Sequence, residues 1–466
     1  MRVVNLTLTL LALTATFAYA ADDAKSKSDK TKNEKPNIVI FLADDLGWAD
    51  VGWHGTEIKT PNLDKLADSG LKLEQFYVQP VCTPTRASLT TGRHTLRYGL
   101  QSVIRGWDNV GLPVEERTLA QALHDAGYYT AIIGKWHLGE FEEKYLPLQR
   151  GFDYHYGLYR GAIHYYEHTH FGGLDWHRNG KTVREDGYST DLIADDAVRV
   201  VQNHETSKPL FLYVPFNAVH GPFLAPPEKE LYEQYADLKG TRKIYAGMIA
   251  SMDNAVGKIV KALEEKGIKE NTLIFFSSDN GGPQPKVVTD NGRLRGGKGT
   301  LYEGGLRVPA FVVWAGQIKP GTVSQQVTHA VDLYPTLLGI AGAPLEQKLP
   351  LDGVDLKDVF LEDKPLERKE LILHALPTGG ALRVGDWKII AGKRNNSENT
   401  NAPSQTELFN LADDPYEKNN LAESHPEKLK ELQERLDYYT KQAVPQIDNK
   451  PLPKDFKMPD VWGEFN

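Results

Sequence analysis

The chain has 466 residues, 40% of them hydrophobic and 25% charged, and its 54 Lys and Arg against 62 Asp and Glu leave a net charge of −8. That balance excludes a disordered chain and a polytopic membrane protein. It advertises no nucleic-acid partner, so an anion site has to come from a local gathering of Arg, Lys, His or metal. A single cysteine, Cys82, excludes an intrachain disulfide and leaves three readings open: buried filler, nucleophile or modified residue.

Residues 1–20 read as an export signal, with Arg2 in front, an apolar run over 6–13 and Ala18-Tyr19-Ala20 fitting the small-x-small cleavage rule. The signal predicts a periplasmic or secreted protein with no stable membrane span. Residues 21–36 are charged and lack large apolar side chains, the composition of a disordered tether. The run 37–43 (NIVIFLA) predicts a buried parallel strand that ends in Asp44-Asp45. Thr60-Pro61 opens a short helix, and 118–126 is helical. Residues 128–133 form a strand ending at Gly134-Lys135, 189–204 a helix, and 210–215 a strand that runs out at 217–221. A long helix covers 243–266, a strand 272–276 ends at Ser277-Ser278-Asp279-Asn280, and a strand 308–314 precedes a helix over 332–341. Beyond residue 362 the pattern changes to short strands at 370–375, 381–384 and 387–390 and an amphipathic helix at 428–439. Strands alternating with helices predict an α/β fold, a large mostly parallel sheet covered by helices on both faces over 37–362. Residues 363–466 are expected to add a small C-terminal α+β unit.

Ligands of open α/β sheets bind beyond the carboxyl ends of the strands. Four predicted strands end there in unusual polar residues: Asp44-Asp45, Lys135-Trp136-His137, His220 and Asp279-Asn280. Two carboxylates aimed at one spot are costly unless a cation neutralises them, and Asp44, Asp45, Asp279 and Asn280 offer only oxygen, the preference of Ca²⁺ or Mg²⁺. Asp-Asp and Asp-Asn-Gly-Gly are also ordinary turn formers. In Cys82-Thr83-Pro84-Thr85-Arg86, Pro84 suits the first turn of a helix. That places Cys82 near the N-cap with Arg86 facing back along the same side, an arrangement suited to anion chemistry.

This run resembles the sulfatase signature C-x-P-x-R, whose cysteine is oxidised after translation to formylglycine. The resemblance extends over nearly all of 37–460. Its motifs are NIVIFLADDLGWADVGWHG (37–55), GKWHLG (134–139), SSDNGG (277–282), GGKGTLYEGGLRVP (296–309) and ELFNLADDPYEKNNLA (407–422). Within the family, CTPTRASLTTGRHTLRYGLQ, LQRGFDYHYG and GYSTDLIADDAV look most like arylsulfatase B, the N-acetylgalactosamine-4-sulfatase type. One departure is Thr90, where the family usually carries a second apolar residue after Leu89.

The resemblance implies an alkaline-phosphatase-like fold and a sulfuric ester hydrolase. Its nucleophile would be a hydrated formylglycine made from Cys82 by a formylglycine-generating or anaerobic sulfatase-maturing enzyme. One Ca²⁺ would be held by Asp44, Asp45, Asp279, Asn280 and position 82. Arg86 resembles the residue that steadies nucleophile and cation. Lys135, His220 and Lys298 resemble the sulfate clamp, with His220 or Lys298 protonating the leaving oxygen. His137 resembles the base that triggers sulfate release. The substrate would be a sulfated saccharide, with a tilt toward a 4-sulfated galactosamine or galactose unit.

The cluster His164-Tyr165-Tyr166-Glu167-His168-Thr169-His170 fits no standard zinc spacing and reads better as a substrate-facing loop, with His164 and His168 as its sugar contacts. Arg105-Gly106-Trp107 is a weaker rim candidate, and packing between domains is the plain alternative for both. Two other functions compete: a phosphate mono- or diesterase on the same fold, and a non-catalytic carbohydrate-binding relative.

Overall fold

The computed structural model describes residues 35–392, 405–448 and 450–464. The expected export signal and tether residues 21–34 lie outside them. In chain order the large unit contains β1 (Asn37–Ala43), α1 (Pro61–Asp68), β2 (Leu71–Tyr77), α2 (Cys82–Thr91), α3 (Leu119–Asp125), β3 (Tyr129–Lys135) and β4 (Tyr154–Leu158). It continues with α4 (Ser189–Asn203), β5 (Leu210–Pro215), α5 (Gly240–Lys266), β6 (Thr272–Ser278), β7 (Ala310–Val313), β8 (Thr322–His329), α6 (Leu333–Ile340) and α7 (Lys357–Glu362). The C-terminal part holds β9 (Glu370–Leu376), β10 (Gly379–Val384), β11 (Trp387–Gly392), β12 (Glu407–Asn410) and α8 (Pro426–Thr440).

The centre of the large sheet runs β6-β1-β5-β3-β4, and all of its pairs are parallel. Its flanks are not. β7 lies antiparallel to both β6 and β2, and the short strand His177–Arg178 lies antiparallel to β4. Pro309 splits the predicted 308–314 strand into Arg307–Val308 and β7.

The alternation of β1 shows how the core is divided. Val39, Phe41 and Ala43 join the apolar layer that holds Ile193 and Ala197 of α4 and Met248 and Met252 of α5. Ile38, Ile40 and Leu42 join the other layer, with Leu119 and Leu123 of α3 and Leu337 of α6. Both faces of β1 are therefore dry, which is why it reads as an unbroken apolar run.

The C-terminal unit is an antiparallel sheet in the order β9-β10-β11-β12 against which α8 packs through Leu432 and Leu436. Residues 444–464 then leave it and return to the large unit. Val444 N–H donates to Leu96 O at 2.8 Å, and the buried Trp462 donates from its backbone N–H to Leu174 O at 2.9 Å.

Candidate active site

Register fixes the site. Ala43 pairs with Ser278 and Leu42 with Pro215, so one residue further on Asp44 and Asp279 emerge side by side, and Asp279 N–H donates to Ala43 O at 3.0 Å. Asp45 takes a left-handed backbone at φ 65°, a conformation that Asp tolerates. Lys135 closes β3, and His137 follows at φ 56°. Two glycines permit this crowding: a Cβ on Gly134 would meet Pro215 O at 2.0 Å, and one on Gly281 would meet Gly304 O at 1.8 Å.

Cys82 is the first residue of α2, every residue of which is buried. Gly92, at φ 67°, closes the helix by donating to Ser88 O at 2.9 Å. Thr90 is accommodated because its hydroxyl donates to Arg86 O at 2.6 Å, so its polarity is satisfied inside the helix. The Cys82 Sγ lies 3.8 Å from Asp44 Oδ1 and lines an open cleft. Burial pushes its thiol up to about 12, with Lys135 and Lys298 opposing, so an unmodified cysteine here is a poor thiolate.

Three cations stand among three carboxylates. Arg86, fully buried, donates to Asp279 Oδ2 from Nε at 3.0 Å and from Nη2 at 2.7 Å, and its Nη1 reaches Lys135 O at 3.1 Å. Lys135 Nζ lies 2.6 Å from Asp44 Oδ2, and Lys298 Nζ 2.7 Å from Asp45 Oδ1. Burial and the neighbouring Asp279 raise Asp44 to about 7 against the pull of Lys135 and Arg86. Burial would raise Asp45 as well, but Lys298 and His220 outweigh it and hold this carboxyl below its usual range. For Lys298, burial opposes the charge, but Asp45 more than offsets that and keeps the ammonium protonated.

The histidines are placed differently. His220 is a quarter open, with Nε2 3.6 Å from Asp45 Oδ2 and Nδ1 2.6 Å from Gly221 O; burial and Lys298 lower it to about 4. Burial and the adjacent Lys135 hold His137 well below its usual value. Its Nε2 pairs with Ile104 O at 3.1 Å, so the neutral ring carries its lone pair on Nδ1, which has no hydrogen-bond partner among the described residues.

Oxygen donors dominate the acidic end. Asp44, Asp45, Cys82 and His220 each offer an atom within 4.8 Å of the others. Asn280 donates through Nδ2 to Asp45 at 2.7 Å, yet its buried Oδ1 has no partner among the described residues. An orphaned amide oxygen beside three carboxylates fits a hard, oxygen-seeking dication such as Ca²⁺.

The cleft above Cys82 has a volume of about 580 Å³. Arg105, His137, His220 and Lys298 line it, as the sequence suggested. His164 and His168 do not. His168 is buried, stacks on Trp176 with centroids 4.6 Å apart and bonds Gly187 O through Nε2, while the His164 ring nitrogen accepts from the Glu167 N–H at 3.1 Å. The loop reaches the cleft instead through His170 and Phe171. Sequence reasoning also missed Arg160, which is buried in the cleft wall, ion-paired to Glu140, with its guanidinium 4.5 Å from the Trp462 ring centroid.

Residues 36–343 match the Sulfatase family, and 297–443 match the family described as N-sulphoglucosamine sulphohydrolase, C-terminal. The chain belongs to the sulfatase family. It is accordingly a sulfuric ester hydrolase. It is 35% identical to mouse (Mus musculus) arylsulfatase J over 91% of this chain and 79% of that one, and 34% identical to mouse N-acetylgalactosamine-6-sulfatase over 76% and 72%. Among solved structures, Ps i-CgsB in complex with k-i-k-neocarrahexaose aligns with a TM-score of 0.79 at 33% identity, covering 89% of this sulfatase and 94% of that chain. A sulfatase from Pseudoalteromonas sp., PsFucS1, aligns at 0.74 and 29%, covering 90% and 93%. Among the described residues of this sulfatase no helix is long and apolar enough to cross a membrane.

Proposed function

We propose that this sulfatase removes sulfate esters from a galactose- or galactosamine-containing glycan, using a formylglycine made from Cys82 and one Ca²⁺. The observation that carries this reading is Cys82 at the head of α2, 3.8 Å from Asp44, with Lys135 and Lys298 on the adjoining carboxylates and an open cleft above it. The 4-sulfated unit suggested by the motifs remains one candidate, beside those named by the relatives: a 6-sulfatase and a structure holding neocarrahexaose.

Formylglycine at position 82 would supply, as its hydrate, one hydroxyl as the nucleophile toward sulfur and a second whose deprotonation would expel sulfate and restore the aldehyde. Asp44, Asp45, Asp279 and Asn280 would hold the Ca²⁺, which would supply positive charge beside position 82 and the sulfate oxygens. Arg86 fixes the Asp279 carboxylate from inside the protein. Lys135 and Lys298 supply the positive charge that the transition state needs on the sulfuryl oxygens. Lys298, which keeps its proton, and His220, whose neutral ring gains a proton once negative charge arrives beside it, are the two candidates to protonate the leaving oxygen. His137, neutral and with Nδ1 unengaged, is suited to take the proton that triggers sulfate release. Export rests on residues 1–20, and maturation requires a formylglycine-generating or anaerobic sulfatase-maturing enzyme.

Mass spectrometry of the peptide spanning residue 82 tests the nucleophile. The thiol-to-aldehyde mass decrease is expected after expression with a maturing enzyme, and Cys82→Ser should lose turnover while keeping its circular dichroism. Full sulfatase activity in Cys82→Ser would refute this reading. A desulfation screen on defined sulfated saccharides identifies the sugar.

A further inference from the structure

A second depression, of about 780 Å³, lies behind the wall of the catalytic cleft. The wall is one turn of chain: Pro283 and Gln284 face the cleft, Pro285 and Lys286 the depression. The loop that carries Lys298 to the acid cluster also delivers Arg293 and Arg295 here. Arg295 is committed to the wall. Its guanidinium lies 3.9 Å from the Tyr302 ring centroid, and its Nη1 donates to Glu417 O at 2.9 Å.

Lys286, Arg293 and Lys418 are different. All three are exposed, and none forms an ion pair among the described residues. Arg293 and Lys418 both attend one ring, Tyr416, at 5.8 and 5.4 Å from its centroid. A further hollow of about 490 Å³ shares Arg293 and Tyr416 and adds Arg307, whose guanidinium lies 5.5 Å from the Trp48 ring centroid. Isolated surface lysines need no explanation. The two acids that also line the groove are engaged elsewhere, Glu417 by Lys388 and Glu407 by Arg295 and Tyr302. Three cations without an ion pair among the described residues, gathered around one tyrosine ring in a protein of net charge −8, run against the bulk charge and repel one another until an anion arrives. Aromatic faces suit sugar rings, and Lys and Arg suit sulfate.

We propose that this groove binds a second sulfated unit of the same glycan chain whose ester occupies the catalytic cleft, the chain crossing the 283–286 turn. The inference rests on the sulfated-glycan reading above and adds to it that the enzyme reads a multiply sulfated chain, not a single sugar.

The test is the Arg293→Gln/Lys418→Gln double variant, neither residue being part of the catalytic machinery. It is assayed on a di-, tetra- and hexasaccharide series of the sulfated glycan selected by the desulfation screen, and on 4-nitrocatechol sulfate, which is too small to reach the groove. The wild type should show kcat/KM rising with chain length, with the gain shrinking as salt is added. The variant should lose that gain through KM, by about 5–20-fold on the longest chain, with kcat and aryl-sulfate turnover unchanged. A wild type indifferent to length, a variant with unaltered KM on the hexasaccharide, or an equal loss on both substrate types would each overturn the groove. A desulfation screen in which no sulfated saccharide is cleaved would instead overturn the sulfated-glycan reading itself.

Discussion

Two buried charge clusters in this molecule are built from the same parts and do different work. At the strand ends, Asp44, Asp45 and Asp279 meet Arg86, Lys135 and Lys298. Between the large sheet and the C-terminal sheet, Lys388 of β11 lies 2.9 Å from Glu303 and 2.8 Å from Glu417, while Tyr77 of β2 donates to Glu303 at 2.7 Å and Arg383 of β10 donates to Tyr77 at 2.6 Å. A perturbed carboxyl does not tell them apart. Burial raises Asp44 and Glu417 alike to about 7. Access does. Lys388 is sealed at 0% exposure, whereas Lys298 and His220 are partly open and line the cleft. The lesson is that a shifted pKa marks buried charge, and what marks the strand-end cluster for chemistry is that its cations reach an open cleft.

The comparison can be broken at its structural side first. Lys388→Met leaves Glu303 and Glu417 buried without their cation and should cost about 3–5 kcal/mol, read from the urea midpoint, while kcat of the folded fraction stays unchanged. An unchanged midpoint would mean that the cluster does not hold the two units together. The mirror experiment is Lys298→Met, for which kcat should fall about 10²–10³-fold with a smaller loss of stability than Lys388→Met. If the two variants behave alike, the distinction fails. Calcium sharpens the contrast: at a hundredfold excess over its Kd it should stabilise the wild type by about 2.7 kcal/mol in a thermal-shift titration, and Asp279→Asn should remove that gain while Lys388→Met keeps it. The smallest effect concerns a third buried acid. Asp448, which accepts from Ser102 N–H at 3.0 Å, is raised to about 7, chiefly by burial. Because its folded-state value lies above its unfolded one, the fold favours the neutral acid. The stability this contributes is complete below about pH 4 and is lost as pH rises through about 7. Asp448→Asn, a permanent neutral mimic, should therefore gain about 1–2 kcal/mol at pH 8 and nothing at pH 4.

Much of the site was legible because it lies where strand pattern and motif coincide. β1 and β6 are dry apolar runs, and a dry parallel run that stops at two polar residues announces a sheet edge. Asp44, Asp45, Asp279, Asn280 and Lys135 could be assigned to one place on that ground, whereas Cys82, at the head of a helix, joined them only through the resemblance of its motif. β2, β4, β8 and β12 were not found. β2 (LKLEQFY) and β8 (TVSQQVTH) are half-polar strands at the flank, where pairing depends on neighbours distant in the chain. The histidine loop was read as a unit although its residues divide by side: His168, at φ 55°, stacks on Trp176 in the core, while His170, in the short strand that follows, lines the cleft. Arg160 carried no local signal at all: its importance comes from Glu140 and from Trp462, about three hundred residues away.

The burial of Cys82 sets an order of events. The thiol is 1% exposed, and the helix around it is packed on every side. On the reading proposed above, a maturing enzyme that has to reach this thiol would act before the sheet closes over it. On that reading maturation and folding would compete in time, and a chain that folded first would stay an inert thiol protein until it was unfolded again.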